Sequence, residues 1–349
     1  MDTEGKETDG RKCECKRTQQ VHREFSMAMA SERSGAHPSK PPLEPQEAHA
    51  LARARVAAVR ERLEPVARQR TAAVASRLRR VLDAFAAERV GPQHFASVSG
   101  YGHGDQGREV IDRVFARVLG AEAAAVRLQF VSGTHAIAAA LFGVLRPGDR
   151  MVSATGRPYD TLEEVIGLRG EGQGSLRDFG VAYEERLLRP DGSVDEEGLD
   201  QLLDQPCQLV LIQRSCGYSW RPSLSVQSIG RLCERIHRRQ PDCICFVDNC
   251  YGELVEDQEP PAVGADLVAG SLIKNLGGTI APAGGYVAGR RDLVEQACCR
   301  LTAPGIGRDG GTGFDLFRHD AWLRVLRLLQ YKRKESQGRI QVFDPIWRK

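Results

Sequence analysis

From residue 126 to residue 301 short apolar runs alternate with amphipathic stretches of helical spacing, and few folds accept that pattern. The runs cover 126–131, 150–153, 181–184, 209–213, 244–247, 267–271 and 285–288. Between most of them lie helical stretches at 134–145, 159–168, 195–203, 225–238 and 290–301. Strands that are apolar on both faces must be covered on both faces, and intervening helices supply the cover. The spacing predicts an α/β domain built on a mostly parallel seven-stranded sheet. No helix separates the last two runs, so their pairing is expected to be antiparallel.

Around this alternation the chain changes character. Residues 1–45 are polar and charged, without apolar periodicity, and read as a disordered extension. Glu4, Glu7, Glu14 and Glu24 make them too acidic for a transit peptide. Over 46–95, Leu51, Val56, Val59 and Leu63, then Val74, Leu78, Val81, Leu82 and Phe85, recur at helical spacing and predict one or two helices. A glycine-rich loop then leads into a helix over 109–119, and 96–302 reads as the main domain. Residues 303–349 read as a divergent tail with a glycine-rich start and a helix over 314–333.

A formal net charge of +3 is too small to argue for nucleic acid, and no apolar run is long enough to span a bilayer. Ten cysteines without regular spacing read as reduced thiols of a cytoplasmic protein. Neither Cys13 with Cys15 nor Cys243 with Cys245 has a second pair at ligand spacing, so core packing is expected for the strand pair and no metal. Gly102, Gly104 and Gly107, like Gly305, Gly307 and Gly310, match a dinucleotide-binding pattern literally. Neither set follows a buried strand, and the matches are read as accidental.

Five places carry chemistry. Lys274 sits between two buried-looking strands, which is costly unless the amine is neutral, paired or covalently used. A Schiff base with a carbonyl cofactor wants that arrangement. Ser132, Gly133 and Thr134 open an alanine-rich helix whose free N–H groups suit an anion such as phosphate; plain N-capping is the other reading. Asp248 ends an apolar strand, where it could meet a pyridinium N–H, cap a helix or bind a metal. Tyr159 follows another strand end and either stacks on a planar cofactor or simply packs. Arg214 and Arg221 flank Tyr218 and Trp220 in a polar loop and could receive a substrate carboxylate.

Together, Gly100-Tyr-Gly-His-Gly-Asp-Gln-Gly-Arg108, Phe130-Val-Ser-Gly-Thr-His-Ala136, Gln213-Arg-Ser-Cys-Gly-Tyr-Ser-Trp-Arg-Pro-Ser223, Phe246-Val-Asp-Asn-Cys-Tyr-Gly-Glu253 and Gly270-Ser-Leu-Ile-Lys-Asn-Leu-Gly-Gly278 resemble the methionine gamma-lyase-like, or aluminium resistance, family. This branch is related to the enzymes of Cys/Met metabolism, and the resemblance covers about residues 50–312. It implies the aspartate aminotransferase fold (fold type I) with an incomplete small domain. It also implies a pyridoxal 5′-phosphate-dependent carbon–sulfur lyase acting on an amino acid of the cystathionine, methionine or cysteine type. By the same resemblance Lys274 holds the cofactor as an internal aldimine and removes the α-proton, while Asp248 pairs with the pyridine nitrogen. Ser132, Gly133, Thr134 and Ser271 hold the phosphate, Tyr159 stacks on the ring, and Tyr101 and Arg108 reach a neighbouring subunit's phosphate. A homo-oligomer, dimer or tetramer, follows. An aminotransferase on the same fold and a catalytically silent relative are the alternatives. Family members continue into a C-terminal segment that helps bind the substrate carboxylate. Here the resemblance stops near Gly311, so a truncated or divergent C-terminus and weakened cofactor binding are expected.

Overall fold

A computed structural model of the chain describes residues 44–310, except 97, 99, 100, 172 and 277–280. The expected disordered extension, up to residue 43, and the tail from residue 311, with its helix over 314–333, lie outside the described residues. By internal contacts the chain divides into two compact units, Met1–Arg68 and Gln69–Lys349. A single helix, α1 (Pro45–Ala87), stands where the sequence left one or two, with Pro65 inside it. In the first unit it exposes Leu51, Val56, Val59, Leu63 and Val66. In the second its trailing turns bury Leu78, Val81 and Ala84.

The second unit holds seven strands: β1 (Ala123–Arg127), β2 (Arg150–Ser153), β3 (Ala182–Glu185), β4 (Leu209–Gln213), β5 (Ile244–Asp248), β6 (Leu267–Ser271) and β7 (Gly285–Gly289). They form one sheet in the order β1-β7-β6-β5-β4-β2-β3. The five strands from β3 to β6 run parallel, while β7 is antiparallel to both β6 and β1. The mostly parallel seven-stranded sheet and its antiparallel β6–β7 pair are thus as the sequence predicts. The first strand differs from its expected span of 126–131. Ala123, Ala124 and Ala125 pair with Gly289, Ala288 and Val287 and are buried on both faces, and that burial overrides alanine's weak strand preference.

The helices of this unit are α2 (Gln106–Leu119), α3 (Gly133–Val144), α4 (Asp160–Ile166), α5 (Glu196–Leu202), α6 (Val226–Arg239) and α7 (Arg291–Leu301). Alternate strand residues feed two cores, one per face. Phe246, Ala269 and Val287 pack with α3, α4 and α7, and Cys245, Val247 and Val268 pack with α5 and α6. Close approach of α3 to α7 depends on Gly143, where a Cβ would meet Gln296 O at 2.8 Å and Ala297 Cα at 2.9 Å. A buried ion pair ties α2 to β1. Arg127 donates to both carboxylate oxygens of Asp112 at 2.7 and 2.9 Å, and Asp112 also accepts from Val126 N at 2.9 Å. Ser153, Gln213, Asp248 and Ser271 all end parallel strands on the carboxyl edge of the sheet, the edge at which α/β folds bind ligands.

Candidate active site

The site is assembled where β5, β6 and the start of α3 meet. Ser132 caps α3, its Oγ accepting from His135 N at 3.1 Å, which leaves the first amides of the helix pointing outward. Gly133 lies so close to the end of β6 that a Cβ would meet Ser271 Cβ at 2.8 Å and Cys250 Sγ at 3.2 Å. Thr134 Oγ1 is 3.1 Å from the Tyr159 hydroxyl, and the Tyr159 amide donates to Gln213 Oε1 at 3.3 Å. Buried Ser271 accepts from Ile273 N at 3.3 Å, turning the chain towards Lys274. The Lys274 ammonium stands 4.3 Å from the centre of the Tyr251 ring. Tyr251 itself occupies left-handed backbone, φ 67°, a costly choice for an aromatic residue. Asn275 secures the two loops together by donating to Tyr251 O at 2.6 Å.

Electrostatics bind this group. Burial pushes the Asp248 carboxyl above its ordinary range, against the Cys250 hydrogen bonds and the charge of Lys274, which pull it down. Its Oδ1 accepts from Cys250 N at 3.0 Å. Burial works to lower the Lys274 pKa, but Cys250, Asp248 and Tyr251 outweigh it and hold the amine above its usual value. The Cys250 thiol is itself pushed well up by burial and by Asp248. Burial and Asp248 also push the Tyr159 hydroxyl far up, so it remains a neutral donor.

The structure thus brings together Ser132, Gly133, Thr134, Tyr159, Asp248, Ser271 and Lys274. Five other expected residues stand outside these contacts. Tyr101 is 85% exposed, whereas Arg108 is buried in the first turn of α2. Arg214 is buried and committed to Asn249 at 2.7 Å, Glu256 at 2.8 Å and Glu259 at 3.5 Å. Arg221 donates to the carbonyls of Gln213, Ser215 and Pro222, and neighbouring Tyr218 is 88% exposed. Sequence reasoning missed Gln213, Cys250 and Tyr251 as site residues, and it missed a polar layer beneath them. There Tyr286 OH donates to Glu253 Oε1 at 3.1 Å and lies 3.2 Å from Asn249 Nδ2. Glu253 Oε2 is buried without a partner among the described residues. Gln213 and Cys250 stand at or just past strand ends, the one signal that could have found them.

A seven-stranded, mostly parallel sheet with a lysine and an aspartate at its carboxyl edge is the architecture of fold type I pyridoxal-phosphate-dependent enzymes. The pyridoxal-5′-phosphate dependent protein YhfS of Escherichia coli shares it, with a TM-score of 0.55 at 18% identity over 75% of this chain and 67% of its own. The chain belongs to the methionine gamma-lyase family, whose model matches residues 52–321. Among its relatives is the uncharacterized protein YnbB of Bacillus subtilis, 47% identical over 233 residues, which make up 66% of this chain and 55% of that one. A solved carbon-sulfur lyase involved in aluminum resistance, from Clostridium novyi, is 40% identical with a TM-score of 0.73, over 83% of this chain and 72% of its own. The chain spans about half the length of the curated relatives it matches. Among the described residues no helix is long and apolar enough to cross a membrane.

Proposed function

We propose that this chain is a pyridoxal 5′-phosphate-dependent carbon–sulfur lyase that expels a thiol from an amino acid of the cystathionine, methionine or cysteine type. The observation that carries the reading is the gathering of Lys274, on the Tyr251 ring, and buried Asp248, bonded to Cys250, beside Gly133 at the amino end of α3. The donor set fits the cofactor. Gly133 keeps the helix end clear of a Cβ, so its outward amides and the hydroxyls of Ser132, Thr134 and Ser271 would hold the phosphate. Asp248 is buried and calls for a cationic partner, which the ring nitrogen provides. Tyr159 would cover a ring face, and the Lys274 amine is the point of attachment. When bound, the cofactor supplies an electron sink that stabilises negative charge at the substrate Cα.

This chain's own residues do the rest. Lys274 takes the Cα proton, and the Asp248 carboxylate keeps it close by holding opposite charge beside it. A thiolate on Cβ can then leave directly, whereas one on Cγ needs a second proton removed at Cβ. Arg221 and Tyr218 lie on the loop leaving β4 and would meet the substrate carboxylate, with Arg214, bonded to Glu256, at the start of the same loop. Exposed Tyr101 would reach a second copy, with Arg108 behind it on α2, which makes a homo-oligomer, dimer or tetramer, part of the proposal. Free cysteines such as Cys207, Cys233 and Cys250 suit a reducing cytoplasm.

The test is reconstitution of the full chain with pyridoxal 5′-phosphate. Borohydride reduction should fix the cofactor on the Lys274 peptide by mass, and cystathionine, cysteine or methionine should yield ammonia, an oxo acid and a thiol. Lys274→Ala should abolish both results. A soluble, folded chain that takes no label at Lys274 would sink the reading.

A further inference from the structure

At the opposite end of β5 from Asp248, three metal-type donors converge and a fourth lies beside them. Cys233 and His237 lie one turn apart on the same face of α6, Cys245 is the second residue of β5, and Asp266 immediately precedes β6. Donor atoms of His237, Cys245 and Asp266 all lie within 4.8 Å of one another. The Cys233 thiol neighbours that of Cys245, since Cys233 and burial both act on it. His237 Nε2 is 2.8 Å from Asp266 Oδ2, which also accepts from Cys245 N at 2.8 Å. We propose that Cys233, His237, Cys245 and Asp266 form a structural zinc site that pins α6 to β5 and β6.

Two sulfurs, an imidazole and a carboxylate form a donor set that selects a thiophilic d10 cation over calcium or magnesium. Bonds of about 2.0–2.3 Å put tetrahedral donors roughly 3.3–3.8 Å apart. The spacing of His237, Cys245 and Asp266, within 4.8 Å, therefore closes with rotamer shifts on the order of an ångström, and Cys233 turns in from its neighbouring place to complete the set. The surroundings suit the ion as well. Arg290 lies 3.8 Å from Asp266 Oδ1, where it offsets the surplus negative charge of two thiolates and a carboxylate. The backbone bond from Cys245 already fixes the Asp266 carboxylate, the kind of outer-shell support that orients a ligand. His237 and Asp266 keep side-chain exposures of 30% and 14%, so the ion can enter from solvent although both thiols are buried.

Binding is not redox chemistry. The cation displaces one proton from each thiol to solvent, forms two Zn–S bonds and breaks the His237–Asp266 hydrogen bond. Cys233 hydrogen bonding and burial push the Cys245 thiol far up, so it becomes a thiolate only with the cation in place. At about 3.3 Å per residue, Cys245 and Asp248 are about 10 Å apart along β5, so this ion would take no part in the reaction at Lys274. The inference does not depend on the cofactor reading.

The experiment uses the full chain carrying Cys13→Ser and Cys15→Ser, which removes the closely spaced thiols near the amino terminus, under a non-thiol reductant. Cobalt(II) is the spectroscopic probe and zinc the competitor. One equivalent of cobalt should bind with a thiolate charge-transfer band and intense tetrahedral bands, and one equivalent of zinc should erase them. His237→Gln, at a partly exposed position, should weaken zinc binding about tenfold or more while leaving the metal-free melting temperature unchanged. Cys245→Ser should remove the charge-transfer intensity; should that variant fail to fold, His237→Gln alone decides. No charge-transfer band, or equal zinc affinity in His237→Gln, overturns the proposal and leaves an ordinary hydrogen bond over core thiols.

Discussion

Glu253→Gln should change how stability depends on pH. Glu253 is 2% exposed, accepts one hydrogen bond from Tyr286 and leaves Oε2 without a partner among the described residues. Burial pushes its carboxyl from 4.5 up to about 8, with Glu259 and Asp248 adding to the effect. The sign follows from proton counting. Between those values the folded chain holds a proton that the unfolded chain releases, so stability from this group is full below 4.5 and is lost as pH rises towards 8. At about 1.36 kcal/mol per pH unit the loss is about 3 kcal/mol at pH 7 and approaches about 5 kcal/mol above pH 8. Glutamine keeps the oxygen that accepts from Tyr286 and has no charge to expel. Urea unfolding of both proteins from about pH 5 to about pH 8 should show the variant gaining on the parent by about 3–4 kcal/mol over that interval. Any constant offset from the new amide cancels in that difference. Parallel stability curves would refute the argument, because they would mean that Glu253 is ionised in the folded state throughout.

Gly133→Ala should cost about 1–3 kcal/mol through contact with Ser271 and Cys250, and should weaken cofactor capture more than it lowers the melting temperature; equal binding by spectral titration would count against the cradle. Asp112→Ala strands the Arg127 guanidinium in the interior and should cost about 3–5 kcal/mol in urea unfolding, and a cost under about 1 kcal/mol would show that the pair is solvated. Asp248→Asn should leave the fold intact while cutting lyase turnover by orders of magnitude, since a neutral amide no longer holds charge opposite Lys274 or a ring nitrogen; unchanged turnover would remove Asp248 from the mechanism.

The sheet was legible because β4, β5 and β6 are continuous apolar runs closed by polar residues, a pattern with few alternatives. β1 was read three residues late because it begins with three alanines, whose strand character comes only from pairing with β7. Lys274, Asp248 and Tyr159 stood out because a charge or ring at the end of a buried run is conspicuous in one dimension. Cys250 and Gln213 did not, since a small thiol and an amide carry no such contrast. Arg214 illustrates a different limit. A sequence shows a guanidinium near a candidate site, but Glu256 and Glu259, which occupy it, lie 42 and 45 residues further along.

The position of β7 governs when the site can exist. Its partners β1 and β6 stand at opposite ends of the chain order, with Arg127 pairing across to Gly285 and Gly285 in turn to Ser271. The helix that begins at Gly133 rests on that late strand, because a Cβ on Gly285 would meet Ala136 Cβ at 2.9 Å, and it packs against α7 as well. A ribosome that has delivered Ser132, Gly133, Thr134 and even Lys274 has still not delivered the strand and helix that hold them in register. Folding of such long-range pairings is slow, because loop-closure entropy is spent before native contacts repay it. Assembly of the Lys274 site is therefore a late event in the life of each chain, following release of residues 285–301 from the exit tunnel. Until then the nascent chain exposes the edge of β6, which makes that strand the segment most in need of protection during synthesis.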